Sequence, residues 1–305
     1  MLKNLLLLAA ALSLSKLASA AEAGLLVAVK GDVQTFRPAK NKWSKASLME
    51  SVADGGKIKV EANGEATIAL FAGGARYQLA PGSVTAVAPD ACKTASGPAA
   101  KILSALPMKQ VKDLAQSRVA TGRPGGTVIR GGPHDIELQS LADTSTLAAR
   151  PVFKWRAVDG AASYKLKVWD EKDDQIWQPE IAATTATYPA GALPLKPGID
   201  YIWRVTATVK GERFTANGIF RVLTTEQKQA VADDLATLAG DDAATNVLRA
   251  EVFARHGLWD DAIAAYEALA AANPDAAVIH IALANLLAEQ GRYSQSRAEM
   301  GKVEK

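Results

Sequence analysis

A single cysteine, Cys92, stands among 305 residues, so no disulfide forms within the chain and packing and hydrogen bonds must hold it together. A lone thiol reacts only in an exposed, electropositive setting, so Cys92 is expected to be buried or inert. Aromatic residues are scarce at 6%, and neither charge dominates, with 35 Lys and Arg against 32 Asp and Glu. That balance removes the basic field that nucleic-acid binding needs. The chain has no Gly-x-Ser-x-Gly elbow, no Gly-x-x-x-x-Gly-Lys-Ser/Thr phosphate loop and no Cys-x-x-Cys pair. Its three histidines, His134, His256 and His280, never fall one helical turn apart, as a helical zinc site would require. No catalytic residue, cofactor or metal ligand is therefore expected, and the chain reads as a binding protein rather than an enzyme.

The start of the chain carries an export signal in its pattern. Lys3 precedes an apolar run over 5–14, and Ala18-Ser19-Ala20 supplies the small residues of a cleavage site. Residues 1–20 are read as a signal peptide, with the mature chain starting at Ala21 in the periplasm or outside the cell. Beyond residue 20 no apolar run approaches the ~20 residues of a membrane-spanning helix. No cysteine flanks the cut to carry a lipid.

Turn residues divide the remainder into zones. Residues 21–90 read as short strands: an apolar run over 25–29 ending at Gly31, and a two-residue alternation over 66–71. Tyr77 and Leu79 follow a Gly73-Gly74 turn, and Pro81-Gly82 precedes a further strand. This predicts a compact antiparallel β-domain. Gly31-Asp32-Val33, Trp43 with Leu48, Gly56-Lys57-Ile58, Gly64 before Ala66-Thr67-Ile68, and Gly73-Gly74 before Tyr77-Gln78-Leu79 together resemble the periplasmic domain of the FecR family. That family's signalling role needs an anchor and a cytoplasmic tail, so the resemblance implies the module alone. Residues 91–131 read as a connector, glycine-rich at 122–126, with one amphipathic helix using Ile102, Leu103, Leu106, Val111, Leu114 and Ala115. Its excess of Lys and Arg fits a solvated helix face, with weak contact to an anionic envelope polymer or lipid headgroups as the alternative. The turns at either end of this connector predict that the first β-module folds independently.

Residues 132–224 read as a β-sandwich. Strand-like runs over 136–141, 152–155, 164–169, 184–188, 201–209 and 214–222 are separated by Asp159-Gly160, Asp173-Asp174, Pro189 and Pro197-Gly198. Phe153-Lys154-Trp155, Ala162-Ser163-Tyr164 and 195–201 ending in Tyr201 resemble fibronectin type III modules. The resemblance implies a core of Trp155 and Tyr164 and a corner role for the Tyr201 hydroxyl. The acidic run at 170–174 is read as a hairpin tip rather than a calcium site.

Residues 225–305 are helical and repetitive. Gly257, Trp259 and Ala250 recur as Gly291, Tyr293 and Ala284, each 34 residues later. That period is similar to tetratricopeptide repeats, and two copies are fewer than the three that usually stand alone. The stack is therefore expected to lean on the sandwich or on a partner. Residues 226–305 hold 7 Lys and Arg against 13 Asp and Glu, so an acidic tail opposes a basic body, which allows docking between them and equally fits an acidic solvated helix surface. The fold class is multidomain β plus α: a small antiparallel β-domain, an immunoglobulin-like β-sandwich and an α-helical repeat stack.

Tetratricopeptide stacks hold ligands on the first helix of each pair. This implies a face of Val247, Glu251 and Arg255, followed by Ile281, Asn285 and Glu289. Val247 and Glu251 stand where carboxylate-gripping families use Lys and Asn, so a mixed or basic peptide is favoured, with Glu251 and Glu289 accepting. The expected function is a non-catalytic exported envelope protein that mediates protein–protein interaction or scaffolding. The alternative is a cell-wall or polysaccharide-binding module linked to envelope sensing. Exposed aromatics on a sandwich face would favour sugar, and polar groove residues would favour protein. N-terminal sequencing of the exported protein from its host should read from Ala21, and an intact Met1 would refute the cleavage assignment.

Overall fold

The computed structural model of the chain describes residues 21–117, 119 and 135–303. Residues 1–20, read above as a signal peptide, the glycine-rich stretch at 122–126 and His134 lie outside the described residues. The fold is mixed β plus α, with two β-structures followed by a helical stack.

The first β-structure holds ten strands in two five-stranded sheets. One sheet has the order β10 (Lys101–Leu103), β7 (Arg76–Leu79), β6 (Glu65–Leu70), β1 (Glu22–Lys30) and β4 (Ser51–Ala53). The other runs β3 (Lys42–Lys45), β2 (Val33–Arg37), β5 (Lys57–Val60), β8 (Ser83–Val87) and β9 (Cys92–Ser96). Along β8 every second residue is buried, the mark of a strand with one face on the core. Leu26, Val33, Ile58, Ile68 and Leu70 fill the space between the sheets. β1 departs from alternation, with residues 23–27 all buried. Its sheet is covered on both sides: Leu26 points into the inter-sheet core, while Leu25 and Val27 join the core that the helices share. The supposed connector is partly sheet. β9 and β10 complete the two sheets, and the helix α1 (Met108–Gln116) begins only after Pro107. A proline inside that helix would remove a backbone hydrogen bond, so the predicted helix over 102–115 is shortened from its front.

The second β-structure is a sandwich. Its larger sheet runs β11 (Thr144–Thr146), β18 (Glu212–Val222), β17 (Asp200–Val209), β13 (Tyr164–Trp169) and β14 (Gln175–Trp177). β15 (Glu180–Ile181) also pairs with β13. The smaller sheet pairs β12 (Val152–Lys154) with β16 (Thr185–Thr187). Phe153 meets Trp203 at a ring-centroid distance of 5.1 Å and Phe220 at 5.7 Å. Trp155 meets Tyr164 at 5.4 Å, and these rings form the centre of the core. The Tyr201 hydroxyl accepts from the Lys196 amide at 2.7 Å, the corner role read from the sequence. The Asp170 carboxylate accepts from the amides of Lys172 and Asp174, closing the acidic run into a turn. The predicted strand over 136–141 does not form a ladder. It makes isolated bridges at Asp135↔Thr215 and Leu138↔Trp155, and Leu141 turns left-handed at φ 55°.

Five helices follow: α2 (Thr225–Ala236), α3 (Ala243–Arg255), α4 (Trp259–Ala272), α5 (Ala277–Glu289) and α6 (Tyr293–Val303). α5 and α6 start 34 residues after α3 and α4, so the sequence period is a repeated helical hairpin. The hairpin turns at Gly257 and Gly291 have φ of 70° and 73°, a conformation that favours glycine. The stack rests on both β-structures. Leu25, Val27, Leu48, Met49 and Ala69 share one core with α1 and with Val247, Leu248, Ile263, Tyr266 and Leu283 of the hairpins. The first β-structure therefore does not stand apart as its flanking turns suggested. Opposite charges contribute to this join through Arg76, which lies 3.4 Å from Asp242, while the Gln110 amide donates to the Thr237 carbonyl at 2.7 Å.

The sandwich is joined to the hairpins by polar contacts at the two repeat turns. α4 has Leu258 at its N-cap and no side-chain cap there. Thr144 of β11 fills that role, its hydroxyl accepting from the Trp259 amide at 3.0 Å, while the Ser145 amide donates to the Gly257 carbonyl at 2.9 Å. At the start of α6, Glu137 accepts from the Ser294 amide at 3.1 Å and from its hydroxyl. A carboxylate there also complements the positive end of the helix. Between these points Asp260 accepts from the Leu141 amide at 2.8 Å and pairs with the buried Arg292. The Leu141 carbonyl accepts from Trp203 Nε1 at 2.8 Å. Gly218 makes room for this bond, because a Cβ there would lie 2.2 Å from that nitrogen.

Two predictions follow from these joins. Asp260→Ala leaves the Leu141 amide and the Arg292 guanidinium without their acceptor. It should cost about 3 kcal/mol and separate sandwich unfolding from helix unfolding in chemical denaturation followed by tryptophan fluorescence and circular dichroism. The second concerns acid. A hydrogen bond from His256 at 3.0 Å, aided by Lys109 and Arg255, holds the Asp234 carboxyl below its usual range. Burial pushes Glu299 up, but hydrogen bonds from Lys302 and His280 outweigh it and bring it below its usual range. Both carboxylates titrate lower folded than unfolded. Their stabilisation is thus present above the unfolded value of about 4 and is lost as pH falls through the folded values. Helix ellipticity should decline below about pH 4, and Asp234→Asn with Glu299→Gln should lessen that decline. An unchanged acid profile in the double variant would count against the assignment.

Candidate partner-binding surfaces

The residues expected to form a repeat groove are not equally available. Val247 is fully buried in the shared core. Glu251 is half-buried and accepts from the Tyr266 hydroxyl at 2.6 Å, tying α3 to α4. Arg255 lies 3.6 Å from Asp113 of α1 and 3.8 Å from Asp234 of α2, so this end of the face is spanned by the chain's own helices. Ile281, Asn285 and Glu289 sit half-buried along α5, one repeat on. The structure thus brings Arg255 together with α1 and α2, whose part in the groove the sequence did not suggest.

A second surface is a cleft of about 1020 Å³ between the sandwich and the second repeat turn. One wall carries Asp135, Arg156, Asp159 and Asn217, and the other carries Gln290, Tyr293 and Arg297. Glu137, one of its lining residues, ties the two walls together by accepting from the Ser294 amide at the start of α6. Arg156 and Arg297 are exposed, and their side chains make no hydrogen bond or ion pair among the described residues. Asp135 and Asp159 stand nearby, so the lining presents both charges, amides and a phenol ring to an occupant. Such a mixture holds a polar chain by many directed hydrogen bonds rather than by one charge.

The reactive groups elsewhere are occupied. Burial pushes the Cys92 thiol up to about 12, which keeps it protonated at neutral pH. Nδ1 of buried His280 is 2.7 Å from Glu299, and Nε2 is 3.0 Å from the Pro274 carbonyl. Among the described residues no group of three His, Cys, Asp or Glu is placed to hold a metal ion, and no helix is long and apolar enough to cross a membrane. The residues that sequence reasoning missed are Glu137, Thr144, Arg156 and Arg297. For the first two a signal existed: neither repeat turn carries Ser, Thr, Asp or Asn at the N-cap, so the caps had to come from elsewhere.

Comparison with known proteins bears on this joined unit. No curated protein matches the chain. Among solved structures, the chain is similar to fibronectin domains one to three of chicken CNTN1, with 10% identity over 66% of this chain and 56% of that one, at a TM-score of 0.20. A two-domain fibronectin type III segment from chicken tenascin gives 14% identity over 66% of this chain and 94% of that one, at a TM-score of 0.21. A β-1,2-glucanase from Parabacteroides distasonis gives 8% identity over 93% of this chain and 49% of that one, at a TM-score of 0.22. At such scores the overlays add nothing to the architecture read from the strand order. The family match is of a different kind, because it spans residues 132–298 and takes in the sandwich, both repeat turns and the cleft. The chain belongs to the family described as Domain of Unknown Function (DUF928).

Proposed function

We propose that the protein is an exported, non-catalytic envelope protein that brings other envelope proteins together. In this reading the first β-structure is a FecR-like module without the signalling parts, the sandwich is of fibronectin type III kind, and the hairpins are tetratricopeptide-like. The 34-residue offset of both helices and the glycine at each turn support the last assignment. The observation that carries the reading is the cleft with one wall from the sandwich and one from the second repeat turn, its arginines unpaired among the described residues and its walls tied by Glu137. A surface made by two elements locked together is preorganised for a polypeptide partner, since neither wall has to be ordered on binding. The lining also admits a polysaccharide strand, the alternative reading, because carboxylates, amides and Tyr293 suit hydroxyl-rich ligands.

The test compares two charge reversals in the full chain by crosslinking and pull-down from intact host cells. Arg156→Glu with Arg297→Glu should reduce recovery of the principal protein partner about tenfold. Glu251→Lys with Glu289→Lys should have the smaller effect, because Glu251 is engaged by Tyr266. Helix content by circular dichroism shows whether either pair unfolds the chain. An unchanged partner set in both variants, or recovery of glycan alone, would refute the scaffold reading.

A further inference from the structure

The outer face of the larger sandwich sheet carries a second ordered array. The register across β13, β17 and β18 places Trp169 opposite Ile202 and Ile202 opposite Ile219. Ile202 is 38% exposed and Ile219 47%. Of the large apolar side chains left exposed among the described residues, these are the two that face each other across a strand pair. On the inner face the same strands bury Tyr201, Trp203, Phe220 and Val222, so the outer isoleucines are not needed to build the core.

Cations border this row. Lys165, Lys167, Arg204, Arg213 and Arg221 lie on the same face, with Glu180 and Asp200 as its carboxylates. Both carboxylates are engaged: Asp200 binds Arg221 through two bonds of 2.8 Å, and Glu180 lies 4.0 Å from Lys165. Among the described residues Lys167, Arg204 and Arg213 have no acidic partner, Arg204 donating instead to the Asn217 side-chain carbonyl at 2.6 Å. An apolar stripe within a polar rim that carries an excess of cations has the arrangement of a protein interface, and Trp and Arg are enriched among the residues whose loss weakens such interfaces.

We infer that this face, centred on Trp169, Ile202 and Ile219, docks an acidic surface of another envelope protein. The proposal rests on the protein-interaction reading above and adds a second, separate contact to it. A sugar ligand fits less well, because it would pack its ring on an open aromatic face. The Arg204 guanidinium already lies 5.6 Å from the Trp169 ring centroid, and the neighbours are branched aliphatics. Strand addition is excluded on this face, since β13, β17 and β18 are paired with one another and recognition has to use side chains. Charge complementarity then selects a partner with an excess of Asp and Glu.

The experiment places a photoreactive benzoylphenylalanine at Ile219 in the full chain expressed in its host, with a second probe at Gln290 in the cleft. The Ile219 probe should give a discrete adduct to a protein whose crosslinked segment is acidic. That protein, purified, should bind the unmodified chain with a Kd that weakens about tenfold in Ile219→Thr and again in Lys167→Glu with Arg204→Glu. Raising the salt should weaken it likewise. Ile219→Thr keeps a strand-forming residue, and near-ultraviolet circular dichroism verifies the sandwich in every variant. No adduct at Ile219, or one to a second copy of this chain, to a glycan or to a basic segment, would overturn the proposal. Protein adducts at Gln290 in that case leave the scaffold reading standing. Loss of protein adducts at both positions removes the two together.

Discussion

Asp260 is the point on which the arrangement of sandwich and helices turns. One carboxylate oxygen accepts from Leu141 of the sandwich and the other pairs with Arg292 of the following repeat. Arg292 is almost wholly buried, at 6% side-chain exposure, and a buried guanidinium without its anion would be costly. The pair therefore contributes less as net stabilisation than as a specification. Only one relative placement of sandwich, first hairpin and second hairpin satisfies all three groups. Trp203 extends the chain of contacts inward, because its ring nitrogen binds the carbonyl of the same Leu141. The sandwich core and the repeat turn are thus two hydrogen bonds and one ion pair apart.

The same logic explains the helix ends. A helix leaves its first amides unsatisfied, and a nearby Ser, Thr, Asp or Asn normally accepts from one of them. α2 and α3 follow this rule with Thr224 and Asp242. α4 and α6 instead borrow Thr144 and Glu137 from the sandwich. Detached from it, these two helices would keep unsatisfied amides and lose a charge that complements the helix dipole. Mutual need of this kind turns two modules into one unit, and the family match over residues 132–298 has that same extent.

Local pattern made much of this legible. The strands that became β8 and β17 and the 34-residue repeat follow from turn residues and spacing, and the corner role of Tyr201 was implied by the resemblance to fibronectin type III modules. What escaped was set by contacts distant in sequence. Residues 136–141 have a strand-like composition, yet the amide of Leu141 is directed to Asp260, 119 residues away, and the ladder breaks. β10 resembled the front of a helix because its apolar residues suit either period, and only pairing with β7 decides. Glu251 and Arg255 were placed on the correct helix, but nothing local discloses Tyr266, Asp113 or Asp234 as their partners. The cleft was invisible for the same reason, since its walls are 73 or more residues apart, from Asn217 to Gln290.

Two hairpins are too few to close a helical stack, because each leaves an apolar side uncovered. Here the uncovered sides are met by structure of other kinds. The outward residues of β1, with Leu48, Met49 and α1, cover α3, and the sandwich covers the turns that begin α4 and α6. The side of α3 that would face a ligand in a longer array is therefore taken up within the chain, Val247 wholly so. What this internal docking leaves open is the cleft it creates and the outer face of the larger sandwich sheet. A helical stack completed by β-structure thus becomes part of a rigid frame, because the side that a third hairpin would cover is closed by packing within the chain, and the open surfaces are the margins of that frame.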